Sequence, residues 1–355
     1  MKGLLLAGGR GTRLRPLTFT GNKHMLPIAN RPMLFYGLDD LKSAGIEEVG
    51  IILGPIREGV VEAVGDGSKF GLRVTYIDQM EPKGLADAVR VAKDFLNDEN
   101  FIMYLGDNLL RGGACQVAAA LEGADWDCVI GTAPVKEPQR YGIVVMRDGK
   151  IDRLVEKPQE PAGNMALVGV YGFTPAIFEA VEKIPPSRRG ELEITDAIQW
   201  LLDRGKNIHV MPVEGWWKDT GRPEDLLEAN QLVLADLDPI SEGKIEENAN
   251  VVGSVSTGSG TVIMTGSHIR GPCIIGTNSQ VGPGAIVGPY TSVGNGVKIM
   301  RGEIENSIVM DGVEIDCEKR IVNSLIGRGT RIISNQTNLE HGLKFVVGES
   351  TFLEV

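Results

Sequence analysis

The sequence predicts an α/β domain on a mainly parallel sheet, followed by a parallel β-helix. Three observations carry this. The chain opens on a short, wholly apolar run, Gly3 to Ala7, the pattern of a strand covered on both faces. Strand-like and helix-like segments then alternate as far as residue 237, a rhythm that builds parallel sheets with helices on both sides. Beyond it, apolar residues fall every sixth position, which fits neither a helix nor an alternating strand.

After Gly3–Ala7, a helical stretch around Leu34–Ala44 precedes the strand-like Glu48–Leu53. A helical Arg57–Val64 leads to Arg73–Ile77, and Ala86–Phe95 leads to Phe101–Leu105. Tyr141–Val155 reads as a hairpin turning at Asp148-Gly149. Helices follow over Ile194–Leu202 and Pro223–Leu237, and Asp238-Pro239 marks the expected boundary between domains 1–237 and 238–355. In the second domain Ile263, Ile269, Ile275, Val281, Val287, Val293 and Ile299 keep the six-residue step. Val309, Ile315 and Ile321 resume it after an offset near Glu303–Ser307. Such residues stack inside triangular coils, each coil needing its neighbours to bury them. Hexapeptide coils are left-handed in known families, so a left-handed parallel β-helix is expected, with its flanks and end available for a homo-oligomer.

Composition narrows the function. A net charge of −11 argues against nucleic-acid binding, which needs a broad basic surface. Cys115, Cys128, Cys273 and Cys317 are isolated, without the pairing of a zinc ribbon or disulfide framework, which suits a reducing cytoplasm. The chain starts on a core strand, no signal peptide is read, and no apolar run is long enough to cross a bilayer, so no membrane partner is expected.

The informative chemistry sits where the first strand ends. Gly8-Gly9-Arg10-Gly11 lets the backbone turn sharply and bring its N–H groups to a ligand, with Arg10, Arg13, Arg15 and Lys23 close behind. A nest of amides beside several cations suits phosphates. The loop is neither a dinucleotide fingerprint, which needs a third glycine opening a helix, nor a P-loop, which needs a Gly-Lys-Ser/Thr triplet. Asp107, in Gly106-Asp107-Asn108, follows the apolar strand Phe101–Leu105. A carboxylate at a strand's C-terminal end is placed to hold Mg²⁺ over a phosphate.

Gly8-Gly-Arg-Gly-Thr-Arg-Leu-Arg-Pro-Leu-Thr18 followed by Asn22-Lys-His-Met-Leu-Pro-Ile28 resembles the opening signature of the sugar-1-phosphate nucleotidylyltransferases. Gly106-Asp-Asn108, Glu156-Lys-Pro158, Gly190-Glu-Leu-Glu-Ile-Thr-Asp196 and Asp219-Thr-Gly221 extend the resemblance to the glucose-1-phosphate thymidylyltransferases, over roughly residues 1 to 235. The resemblance implies a Rossmann-like nucleotidyltransferase domain and a Mg²⁺-dependent reaction of dTTP, or UTP, with glucose-1-phosphate. It implies that Gly8, Gly9, Gly11 and Thr12 cradle the triphosphate, that Arg13 serves the leaving pyrophosphate and that Lys23 bridges phosphate charge. Asp219 would be a second metal ligand beside Asp107. Gln79 and the Gly84-Leu85 backbone would read the base, although the commoner short-form enzymes have glutamine where Asp87 stands. Glu156 would accept from sugar hydroxyls and Lys157 balance the sugar phosphate, with Tyr141, Gly142, Leu167 and Trp217 walling the hexose. Arg189, Glu191 and Glu193 would support this site, and Glu191 could reach a hydroxyl.

Three rivals stay open. One is the same fold using UTP, GTP or ATP; another is a bifunctional enzyme whose β-helix also transfers acetyl groups. The third is a non-catalytic subunit that binds sugar nucleotides, against which Arg13, Lys23, Asp107 and Asp219 all count. His24 and His209 lack a Ser, Cys or metal-site context and are expected to pack or face solvent. His268 and His341 lie in the repeat region, and the bland reading is preferred for both over acyl transfer.

Overall fold

The computed structural model describes residues 1–160 and 162–333, so His341 and the end of the second domain lie outside the described residues. Contacts divide the chain into two compact units. The first holds Met1–Gly11, Gly21–Met25 and Met33–Asp219; the second holds Thr12–Thr20, Leu26–Pro32 and everything described from Thr220 on. The boundary expected at 237/238 is therefore not where contacts divide the chain. Two N-terminal segments and the helix Pro223–Ala235 fold with the β-helix, because a unit is defined by contacts rather than by order along the chain.

In the first unit, Lys2–Ala7 lies inside a nine-stranded sheet, in parallel between Glu48–Leu53 and Phe101–Leu105. Arg73–Asp78 adds a further parallel strand beyond Glu48–Leu53. Its apolar residues alternate between two cores. Leu4 and Leu6 pack with the helices Leu85–Val91, Ile177–Lys183 and Ile194–Leu202; Leu5 and Ala7 pack with Met33–Ser43 and Gly113–Gly123. That two-sided burial is why the opening run contains no polar residue.

The parallel rule does not hold throughout, although Ile208–Pro212 also runs parallel to Cys128–Pro134. Met165–Phe173 runs antiparallel to Phe101–Leu105 and to Cys128–Pro134, so the sheet is mixed. Gly142–Arg147 and Lys150–Glu156 form the expected hairpin, with Asp148 and Gly149 both at positive φ (51° and 76°), the backbone of a type I′ turn. A separate two-stranded ribbon pairs Asn108–Leu110 with Trp217–Asp219, setting Asp219 opposite Asn108.

In the second unit, short parallel strands repeat every eighteen residues: Ile263 pairs with Val281 and Ile275 with Val293. The stacked residues from Ile263 to Ile315 fill a continuous core. The offset near Glu303–Ser307 has a clear cause. Lys298–Glu305 is one eight-residue strand pairing with both Gln280–Val281 and Ile286–Val287, so it rounds a corner without a loop and shortens the coil. Val293 is therefore followed by Val309, sixteen residues later, in the stack. No helix among the described residues is long and apolar enough to cross a membrane.

Candidate active site

The strand ends of the first unit carry the polar groups. Asn22 fixes the loop after the first strand, its Nδ2 donating to the carbonyls of Ala7 (3.0 Å) and Ile56 (2.8 Å). Its Oδ1 accepts from the His24 backbone N–H at 2.9 Å and lies 2.6 Å from His24 Nδ1. His24 is buried, and burial with the neighbouring Lys23 charge, against the pull of Asp107, lowers its pKa to about 3. It is a neutral, packed histidine, as the sequence reading preferred.

Lys23 sits between the glycine loop and Asp107. Its ammonium pairs with Asp107 Oδ2, and its Cε lies 2.9 Å from where a side chain on Gly9 would begin. Burial pushes the Asp107 carboxyl up, but the charge of Lys23 and the hydrogen bonds of Lys23 and Asn108 outweigh it and hold Asp107 well below the usual carboxylate range. Asp107 is thus ionised at any physiological pH.

Asn108 ties the two expected metal ligands together. Its Nδ2 donates to Asp107 Oδ1 at 3.0 Å and lies 3.5 Å from Asp219 Oδ1, while its Oδ1 accepts from Trp217 Nε1 at 2.6 Å. The indole can only donate, so it fixes which end of the amide faces the carboxylates. Sequence reasoning quoted Asn108 within its motif but gave it no role; only the ribbon pairing it with Asp219 supplies one.

The residues expected at the sugar also lie near one another. A side chain on Gly142 would begin 3.0 Å from Glu156 Oε2 and 3.2 Å from Leu167 Cδ1. Glu156 accepts from Thr195 Oγ1 (3.1 Å) and pairs with Lys157 (3.4 Å) and Arg189 (3.6 Å). Lys157 N–H donates to the Tyr141 carbonyl, and the Tyr141 ring meets Trp217 edge-on at 5.3 Å. Arg189 also bridges Glu191 and Glu193; burial raises the Glu193 carboxyl. Thr195 had no part in the sequence reading beyond its motif.

Gln79 and Gly84 adjoin at the end of Arg73–Asp78. Gln79 Nε2 donates to Asp87 Oδ2 (2.8 Å) and the Gly84 carbonyl (3.2 Å), and Arg90 holds the other Asp87 oxygen. A carboxylate only accepts, so Asp87 fixes the orientation of the Gln79 amide. Gly84 has φ +111°, and the Leu192 carbonyl lies 2.3 Å from the place of a Cβ, so no other residue fits. Leu85 opens the next helix, half-buried. Gly8 lies beside the Gln79 amide, and Gly11 is at φ +62°. Thr12 and Arg13 are exposed and form a 3₁₀ turn, Thr12–Leu14, in the second unit.

A strand-end glycine loop, a half-buried lysine and two aspartates about one amide are groups that suit phosphate chemistry. The chain belongs to the nucleotidyl transferase family: residues 2–236 match it, and residues 269–351 match the GMPPB C-terminal domain. It is a nucleotidyltransferase. Over the whole of both chains it is 47% identical to the low-salt glycan biosynthesis nucleotidyltransferase Agl11 of Haloferax volcanii. It is 45% identical to a glucose-1-phosphate thymidylyltransferase of Streptomyces antibioticus, across all of this chain and 99% of that one. A crystal structure described as a Bacillus anthracis glucose-1-phosphate thymidylyltransferase with sucrose matches 68% of this chain and 98% of that chain, at a TM-score of 0.63 and 34% identity.

Proposed function

We propose that this enzyme transfers a thymidylyl group from dTTP to glucose-1-phosphate, giving dTDP-glucose and pyrophosphate. The observation that carries the reading is the unit of Lys23, Asp107, Asn108 and Asp219 beside the glycine loop. A phosphate oxygen of the sugar attacks the α-phosphorus; the new P–O bond forms as the α–β bridge breaks, and its electron pair leaves on pyrophosphate. Both reactants are anions, so catalysis rests on positioning and cationic stabilisation rather than on a covalent nucleophile.

Asp107 and Asp219 suit Mg²⁺, which takes one or two carboxylates and keeps its waters, and the Lys23 ammonium on Asp107 supports a cation at this oxygen. When bound, the metal would supply Lewis acidity toward the triphosphate. Lys23 would neutralise phosphate charge beside the Gly8–Gly11 amides, with Thr12 in that cradle and Arg13 serving the leaving pyrophosphate. With its nitrogen committed to Asp87, Gln79 offers its oxygen to the N3–H of a pyrimidine such as thymine or uracil. Glu156, braced by Thr195, would accept from hexose hydroxyls, and Lys157 would face the sugar phosphate. A cytoplasmic homo-oligomer belongs to the same reading, supported by the exposed Ile240, Ile245 and Val252 on the first coil.

The test is pyrophosphate release from purified protein with glucose-1-phosphate and Mg²⁺, comparing dTTP, UTP, GTP and ATP. A clear preference for dTTP is expected. Preference for another nucleotide reassigns the base, and silence with all four removes glucose-1-phosphate as the acceptor.

A further inference from the structure

Gln79 follows the strand Arg73–Asp78, and Asp87 lies in the first turn of the helix Leu85–Val91. Both side chains are buried. Gln79 carries two side-chain N–H groups and both are taken: Nε2 donates to Asp87 Oδ2 at 2.8 Å and to the Gly84 carbonyl at 3.2 Å. Carboxylate and carbonyl oxygens only accept, so the amide cannot turn round while these two stand beside it. Its oxygen is left over. A side chain on Gly8 would begin 3.6 Å from Gln79 Oε1, so this oxygen borders the glycine loop. All of these residues belong to the first unit.

Arg90 does more than balance a charge. Its Nε and Nη2 both donate to Asp87 Oδ1, at 3.1 and 2.5 Å, which leaves Oδ2 to Gln79. A guanidinium has donors and no acceptor. An asparagine at position 87 would therefore keep its oxygen on Arg90 and set its NH₂ against the NH₂ of Gln79. Gln79 can meet that group only by turning its own oxygen toward it, and an N–H would then border the glycine loop.

We propose that Asp87, held by Arg90, is a positioning residue that sets base choice: it presents the Gln79 oxygen as a fixed acceptor, so the site takes bases with a ring N–H at that edge and rejects those with a bare ring nitrogen. Thymine and uracil offer N3–H, whereas cytosine has a lone pair at N3 and adenine one at N1. Two acceptors brought together in a buried site leave both unpaired, a mismatch that binding sites reject more strongly than a missing methyl. The proposal rests on the base-reading role given to Gln79 above.

Full-length wild type, Asp87→Asn and the double variant Asp87→Asn/Arg90→Leu are compared for kcat/KM with dUTP and dCTP, which differ only at the N3–C4 edge. Wild type should prefer dUTP about a hundredfold or more. Asp87→Asn should lower that preference about tenfold or more. The double variant should recover most of it, because without Arg90 the new amide is free to turn its oxygen to Gln79. A merely structural role would slow both nucleotides alike and leave their ratio unchanged. An unchanged ratio in Asp87→Asn, no recovery in the double variant, or a wild type that takes dCTP as readily as dUTP overturns the proposal. If Asp87→Asn does not fold, Asp87→Ala leaves Gln79 tied by Gly84 alone; its ratio must fall, and an unchanged ratio overturns the proposal. Failure of the thymidylyl reading is separate: preference for UTP over dTTP refutes that reading, while the dUTP to dCTP ratio still decides this one. Wild-type protein that turns over no nucleotide refutes the acceptor sugar instead. The ratio is then read from the dissociation constants of dUTP and dCTP by calorimetry, where tighter dUTP binding lost in Asp87→Asn supports the proposal and equal affinities in wild type overturn it.

Discussion

Both units bury polar side chains, but for different ends. In the α/β unit, buried Asn22, His24, Gln79 and Asn108 stand at strand ends and bond to one another's loops and to charged groups. In the β-helix, buried Thr261 and Ser279 bond along the stack. Thr261 Oγ1 accepts from the Ser279 N–H, and Ser279 Oγ donates to the Gly294 carbonyl and accepts from the Val297 N–H. The first pattern converges on one place and leaves carboxylates and a lysine poised; the second repeats with the coil and leaves nothing over. Gln79 and Asn108 bond to carboxylates at the candidate site, whereas Thr261 and Ser279 bond to backbone and stitch coil to coil.

The sharpest test of this contrast is Asp107→Asn. It should reduce pyrophosphate release by about 10²–10³-fold while leaving circular dichroism and the melting temperature near wild type. A variant with near wild-type turnover would remove Asp107 from the metal site. Next comes Gly169→Ala, whose Cβ would lie 2.4 Å from Asn108 Cγ. Pushing that amide off the two aspartates should cost on the order of 10²-fold in kcat, read in the same assay.

On the other side of the comparison, Ser279→Ala strips the Val297 N–H of its acceptor inside the coil. It should cost roughly 1–3 kcal/mol of stability, seen as a melting temperature lower by several degrees, with turnover at 25 °C unchanged. Lost turnover without lost stability would break the distinction between stitching and chemistry.

The last effect, seen only as pH rises, concerns Asp40, a buried carboxyl outside the site that accepts from the Ala114 N–H at 3.0 Å. Burial raises its pKa to about 6, against the Ala114 hydrogen bond and with help from Asp39. The fold therefore holds a proton that the unfolded chain releases above about pH 4, so stability falls as pH rises from 4 to 6 and stays lower beyond. The contribution is on the order of 2–3 kcal/mol. Asp40→Asn, which keeps an acceptor for Ala114, should match wild type near pH 4 and melt higher at pH 7; identical melting curves at both would refute the shift.

Much of the architecture was legible in local chemistry. The unbroken apolar run Gly3–Ala7 required burial on both faces, and Asp148-Gly149 required a tight hairpin. The six-residue step required stacked coils, because no other regular backbone repeats inward at that period. Glycines beside Arg10, Arg13 and Lys23 pointed to an anion, since local sequence sets which charges crowd a loop.

Other features depend on residues far apart in the chain. The antiparallel strand Met165–Phe173 looks like any other apolar strand, because periodicity carries no direction. Asn108 acquires its role from Asp219 and Trp217, more than a hundred positions away. Ala29, a poor local choice for a left-handed turn, is held there by Asn230, 201 residues on. The sequence by itself determined which segments form strands, helices and coils, and where glycines and cations gather, because propensity, period and charge act between neighbours. Tertiary structure alone decided which carboxylates share an amide and which residue holds Ala29 in its turn, because those bonds exist only once distant segments meet.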